Sequence, residues 1–212
     1  GMALPENDES INMNIPANNI FSQALKVSRH ERETKYHQKS FTLWLTGLSA
    51  AGKSTVATEV DLWLFNNGHT SYVLDGDNTR MGINKDLSFS DSDRKENIRR
   101  IAEVSRLFND AGIIVVAAYV SPFEEDRAAA KKTIGKDDFI EVFIDASIEI
   151  CKARDKKGLY AKAEKGEIEN FTGISSKYEV PISPDIHIKT NSCSIEEAVQ
   201  IIIKQLKQLN KL

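Results

Sequence analysis

Two cysteines in 212 residues, Cys151 and Cys193, stand far apart in the chain. That excludes a disulfide scaffold and any CxxC-type zinc or redox motif, and it fits a reducing cytosol. Four scattered histidines (His30, His37, His69, His187) show no metal-ligand spacing. Long apolar runs are lacking too: the longest, Ile113 to Val120, is far too short to span a bilayer. No basic segment followed by an apolar one opens the chain, which predicts no signal peptide; Gly1 before Met2 reads as the scar of an expression tag. Charge of one sign is missing as well. Lys plus Arg number 28 and Asp plus Glu 31, a net charge of −3, which argues against a dedicated nucleic-acid or membrane-surface binder. There is no internal repeat.

What remains is an ordinary globular composition, 41% hydrophobic and 28% charged, with length for one domain. Residues 1 to about 27 are rich in Asn and acidic residues and keep no period of 2 or 3.6. They read as a mobile arm, with the domain proper over 28–212. From Phe41 the pattern changes. Phe41 to Thr46 is a short apolar run that reads as a buried strand. Val56, Val60 and Leu64 space a helix after it. Ser71 to Leu74 is a second strand, followed by a polar loop. A charged helix runs from about Asp91 to Asp110, with Ser90-Asp91-Ser92-Asp93 offering a capping box. Ile113 to Ala118 is continuous and apolar, as in a central parallel strand. A helix near Phe123 to Ile134, a strand Phe139 to Ile144 and a helix through Cys151 come next. The chain turns polar from Asp155 to Pro184. Ile186 to Lys189 is a last strand, and Ser194 with Glu197 caps a helix ending near Leu209. Alternating strands and helices predict an α/β, three-layer fold with a mainly parallel central sheet flanked by helices, plus a lid over about 155–184.

Gly47-Leu48-Ser49-Ala50-Ala51-Gly52-Lys53-Ser54 fits G-x-x-x-x-G-K-[ST] between a strand and a helix. A chance match is on the order of 10⁻⁵ per position from composition. Glycines let backbone N–H groups close around phosphate oxygens. Lys53 neutralises the β and γ phosphates, Ser54 takes a Mg²⁺ position, and the helix start faces the anion. The motif predicts ATP or GTP. Asp75 and Asp77 follow the second strand, where ligands of open parallel sheets sit. Two carboxylates there suit Mg²⁺ water shells and activation of an acceptor hydroxyl. Arg80 suits an anionic acceptor. Arg94, Asn97 and Arg100 fall near one helix face. Residues 152–167 hold six basic and three acidic side chains, which reads as a lid that closes over phosphates.

These motifs together resemble the adenylylsulfate kinase family. The matches are Gly47 to Thr55; Asp75-Gly76-Asp77-Asn78 with Arg80; Asp93-Arg94 with Glu96 to Arg100; Ser121-Pro122; Arg154-Asp155 with Lys157 to Tyr160; and Phe171 to Ile174. They run in family order from about Ser28 to Leu209. The resemblance implies a P-loop kinase fold and transfer of the ATP γ-phosphoryl to the 3′-hydroxyl of adenosine 5′-phosphosulfate, in sulfate activation. By similarity Asp77, Arg80, Arg94, Asn97, Lys157 and the backbone around Val120 and Ser121 contact the acceptor. Phe89 and Phe171 sandwich its adenine. Gly47, Ser49 to Thr55, Arg154 and Cys193 bind ATP, Cys193 as a packing residue. Asp77, with Asp75 the alternative, accepts the hydroxyl proton; Asp75 also meets Mg²⁺ through water. Arg154, in the lid, stabilises developing charge like an arginine finger. Ser121 matches a serine able to carry phosphate in the family and reads as a substrate-site residue first. The resemblance further implies a cytoplasmic homodimer. Ala50 departs from a common glycine inside the phosphate loop, where any need for positive φ puts affinity in doubt. Phe123-Glu124-Glu125 replaces an added basic residue, with the spacing to Arg127 kept. No cysteine precedes Cys151, which predicts no N-terminal redox switch, and the length leaves no room for a fused ATP sulfurylase domain. Competing readings are a gluconate- or shikimate-type kinase, which leaves Phe89 and Phe171 unexplained; a GTP switch, whose Asn/Thr-Lys-x-Asp motif is missing; and a binding module without catalysis, against which the intact Lys53, Ser54, Asp75 and Asp77 argue.

Overall fold

A computed structural model describes Phe21 and residues 23–212. Most of the expected mobile arm, residues 1–20 and 22, lies outside the described residues. Among the described residues five strands form one parallel sheet: β1 (Thr42–Thr46), β2 (Ser71–Asp75), β3 (Ile114–Ala118), β4 (Phe139–Asp145) and β5 (Ile186–Lys189), in the order β2-β3-β1-β4-β5. The central strands β1 and β3 are buried at every residue, which is why their sequences read as unbroken apolar runs. The edge strands β2 and β5 alternate.

Successive side chains of a strand point to opposite faces, and the core divides accordingly. Leu43 and Leu45 of β1, with Ile114 and Val116 of β3, join one cluster with α2 (Lys53–Asn66) and α8 (Ile195–Gln208). Trp44, Val115 and Ala117 join the other, with α4 (Asp91–Asp110) and α5 (Glu124–Ile134). The result is the expected three layers.

Three features differ from the sequence reading. Helix α1 (Arg29–Tyr36) was not foreseen, because its eight residues carry no buried apolar face. Ser28 and Glu31 form a complete capping box, and Arg29 binds Asp138 (2.5 and 3.0 Å), Glu33 and the Ser40 carbonyl. The box expected at Ser90 is half made: Ser90 Oγ accepts the Asp93 N–H, but the Asp93 carboxylate turns to the Ser88 N–H and hydroxyl. The polar stretch after β2 is a short helix, α3 (Gly76–Arg80), N-capped by Asp75. Ser194 and Glu197 make their box in full. After α6 (Ile148–Arg154), the lid segment carries one short helix, α7 (Leu159–Glu164).

Candidate active site

The carboxyl ends of β1, β2 and β3 open into a cleft of about 540 Å³, the place where open parallel sheets bind ligands. Its floor is the phosphate loop. Gly47 is obligatory there, since a Cβ would stand 2.3 Å from the Ile144 carbonyl oxygen of β4. Gly52, at φ 107°, starts α2 from the left-handed region. Ala50 is also left-handed, at φ 59°. The loop therefore needs a positive φ at the position where a glycine is replaced, at a cost of about 1–2 kcal/mol. We expect Ala50→Gly to raise stability by about 0.5–1 kcal/mol after the added freedom of the unfolded chain is subtracted. A melting curve checks this; a lowered Tm would contradict it.

Lys53 is buried, and its ammonium donates to the Gly47 (3.0 Å) and Leu48 (2.7 Å) carbonyls. Burial pushes its pKa down to about 8, against the opposing pull of Cys151, Asp75 and Asp77. Ser54 donates to Asp75 Oδ2 at 2.6 Å. The other oxygen of Asp75 accepts the Asp77 N–H at 2.9 Å. One carboxylate thus joins the phosphate loop to the helix that carries Asp77 and Arg80. The Ser54 hydroxyl and Asp75 carboxylate are hard oxygen donors side by side, a set that fits Mg²⁺.

The opposite wall is basic and aromatic. Arg80 lies over the Phe89 ring, 4.3 Å from its centroid, and donates to the Leu87 and Ser88 carbonyls. Arg94 holds the Phe89 carbonyl (3.0 Å) and the Asn170 carbonyl (2.9 Å), linking α4 to the lid segment. Burial lowers both guanidinium pKa values, yet an arginine keeps its charge at any ordinary pH. Asn97 is buried in the wall, its Oδ1 accepting from Asn84 Nδ2 at 2.9 Å. Val120 and Ser121 close the end of β3. The Val120 carbonyl accepts from Thr46 Oγ1 (2.7 Å). Ser121 is 2% exposed, sits at φ 37°, and its hydroxyl accepts the Trp44 indole N–H at 3.1 Å.

The lid closes on this wall through Lys157, whose ammonium pairs with Asp77 across eighty positions of sequence. Tyr160 of α7 donates its hydroxyl to the Ser49 carbonyl of the phosphate loop at 2.9 Å. Arg154 lines the cleft as expected, while Phe171 and Cys193 stand off its lining. Arg154 ends α6, ahead of the lid, and its guanidinium donates to Thr190 Oγ1 (3.1 Å) and Thr190 O (2.7 Å). It also meets the Ala51 carbonyl of the phosphate loop at 3.5 Å, and so stands between that loop and the end of β5. Phe171 is buried edge-on against Tyr160, centroids 4.9 Å apart, and does not line the cleft. Only Phe89 of the expected aromatic pair does. Cys193 packs against the core cluster, also off the cleft lining. Sequence reasoning missed Tyr119, a lining residue whose hydroxyl meets Thr79 Oγ1 at 3.0 Å. Tyr160, within the Lys157 to Tyr160 match, and Thr190, at the strand end that the resemblance places near the ATP adenine, prove to be partners of the phosphate loop as well, which neither position signals locally.

Comparisons with known proteins point to one family. The family model for adenylylsulphate kinase matches residues 39–189. The adenylyl-sulfate kinase of Prochlorococcus marinus is 50% identical over 198 residues, 93% of this chain and 98% of that protein. That of Clostridium acetobutylicum is 51% identical over 92% of this chain and 97% of its own. The Mycobacterium tuberculosis APS kinase, solved with AMPPNP and APS, superposes with a TM-score of 0.77 at 47% identity, covering 80% of this chain and 99% of that one. A gluconokinase from Sinorhizobium meliloti, at 14% identity and a TM-score of 0.53 over 81% of this chain and 94% of its own, shares the fold alone.

Proposed function

The chain belongs to the adenylylsulphate kinase family, and from that premise we propose how its residues divide the work. It is a kinase that phosphorylates adenosine 5′-phosphosulfate with ATP. The acceptor atom in our reading is the 3′-hydroxyl. Its oxygen bonds to the γ-phosphorus as the bridge to the β-phosphate breaks, ADP leaves, and the hydroxyl proton passes to the Asp77 carboxylate. Phosphoryl transfer asks for positioning and charge neutralisation more than covalent chemistry, and the cleft offers both. The Lys53 ammonium faces the β and γ phosphates. Asp75 fixes Ser54 and the start of α3 together, so the phosphate side and the acceptor side keep one spacing. Arg80 and Arg94 set positive charge beside the Phe89 ring, which suits a nucleotide with an anionic phosphosulfate end. Ser54, and Asp75 through water, would hold Mg²⁺, which when bound supplies charge neutralisation at the transferring phosphoryl group.

The observation that carries this division is the pairing of Asp77 with the lid lysine Lys157, beside the Ser54–Asp75 hydrogen bond. It puts a carboxylate and a cation on the acceptor side of the phosphate loop. Competition binding tests it. AMP, which lacks the sulfate, should bind at least about tenfold more weakly than adenosine 5′-phosphosulfate if Arg80 and Arg94 read that end. Equal binding would refute their assignment. Ser121 serves in this reading as part of the acceptor wall, and transfer is direct.

Lys53 gives a pH signature. The protonated amine binds phosphate, and its folded pKa stands near 8 instead of the usual 10.5. We expect kcat/KM for MgATP to hold below pH 8 and to fall above it, since this parameter reports the free enzyme. Lys53→Arg should move that limb out of range. The stability effect has the opposite direction: the unfolded chain binds the extra proton between about pH 8 and 10.5, so this group adds stability as pH rises through that window. A flat alkaline profile would remove Lys53 from phosphate binding.

No helix among the described residues is long and apolar enough to cross a membrane. A cytoplasmic homodimer in sulfate assimilation fits the family and the two free cysteines; sedimentation checks the dimer.

A further inference from the structure

Arg127 takes no part in the chemistry above, yet it is a charged side chain only 1% exposed. Burying a guanidinium is costly unless its charge is paired. Nη1 donates to the Ser121 carbonyl at 2.9 Å, and Nη2 donates to the Glu179 carbonyl at 2.9 Å. Nη2 also pairs with Glu124, and Nε lies 2.9 Å from a Glu141 oxygen of β4, an ion pair without hydrogen-bond alignment.

The two carbonyls belong to segments far apart in sequence. Ser121 is the left-handed turn that closes β3 and lines the cleft. Glu179 follows Tyr178, in the last part of the lid segment. The same two segments are stitched directly. Glu179 N–H donates to the Pro122 carbonyl at 2.8 Å, and the Glu179 carboxylate accepts the Glu124 N–H at 2.8 Å. The latter contact caps α5, whose own N-cap residue, Phe123, offers no side-chain acceptor. Tyr178 meets Thr46 Oγ1 at 3.0 Å, and Thr46 holds the Val120 carbonyl.

We propose that Arg127 is a positioning residue for the acceptor: its fork fixes the strained Ser121 turn and the last part of the lid segment as one body. The inference rests on the reading of Val120 and Ser121 as acceptor wall. A left-handed serine costs free energy and needs its surroundings to hold it. Arg127 supplies the hold from behind, through two carbonyls at once, which a point charge cannot do with the same geometry. The phosphate loop receives nothing from Arg127, so the effect should fall on one substrate.

The test uses the full chain with Arg127→Lys and Arg127→Met. We expect KM for adenosine 5′-phosphosulfate to rise by about tenfold or more, because small misplacements of a positioned substrate are costly, with KM for MgATP within about twofold. Limited proteolysis between 156 and 180 should quicken in step with the acceptor KM, and Lys should be milder than Met. Glu179→Ala, at a partly exposed side chain, loosens the same part of the lid segment without touching the core and carries the test where the Arg127 variants fail to fold; it should raise the acceptor KM alone. Both KM values moving by one factor, or an unchanged acceptor KM, overturns the proposal. Wild-type protein that turns over no adenosine 5′-phosphosulfate overturns the reading of the site itself.

Discussion

Lys53→Ala should lower kcat by at least about 10³-fold, the scale of losing one fixed charge at a transferring phosphoryl group. The ammonium is buried at the root of the phosphate loop and is held by two of its carbonyls, so it reaches its place at no cost in reorganisation when the reaction occurs. The substitution also strips the Gly47 and Leu48 carbonyls of a donor. A comparison of Tm therefore belongs beside the rate: a folded variant without turnover is the expected result. A folded variant with wild-type turnover would remove Lys53 from the mechanism.

Asp77→Asn is the second large effect. It keeps the shape of the side chain and its N-terminal place in α3, where the Asp75 carboxylate still accepts its backbone N–H. What it loses is the capacity to take a proton and the charge that pairs with Lys157. General-base catalysis is worth about 10²–10⁴-fold, so kcat should fall by that range while KM for MgATP stays within about twofold. Pre-steady-state and steady-state ADP release separate the two parameters. An unchanged kcat would move the proton to Asp75, whose oxygens are already occupied by Ser54 and the start of α3.

Some of this was legible in the sequence for plain physical reasons. β1 and β3 are buried on both faces and therefore read as unbroken apolar runs. The phosphate loop needs Gly47 for a close approach to β4, and that need is written as a motif. α4 and α8 carry serine N-caps, at Ser90 and Ser194, that mark their starts. Other features have no local signature. α1 is mostly charged, buries no apolar face, and is held by Arg29 on Asp138, 109 positions away. α3 is five residues long and exists because Asp75 caps it. Phe89 and Phe171 look alike in sequence, but one lies under Arg80 on the cleft wall and the other is taken up by Tyr160 beneath the lid. Arg154 and Arg127 both read as basic positions near motifs. Their directions depend on partners drawn from distant segments: Ala51 and Thr190 for one, Ser121, Glu141 and Glu179 for the other.

The most direct test is ADP release from ATP and Mg²⁺ with adenosine 5′-phosphosulfate, AMP, shikimate and gluconate each as sole acceptor. Release that depends on adenosine 5′-phosphosulfate alone, with a product carrying phosphate on its 3′-oxygen by mass spectrometry and NMR, is the expected result. Release with shikimate or gluconate, or a product phosphorylated elsewhere, would contradict an acceptor site formed by Asp77, Arg80, Phe89 and Arg94.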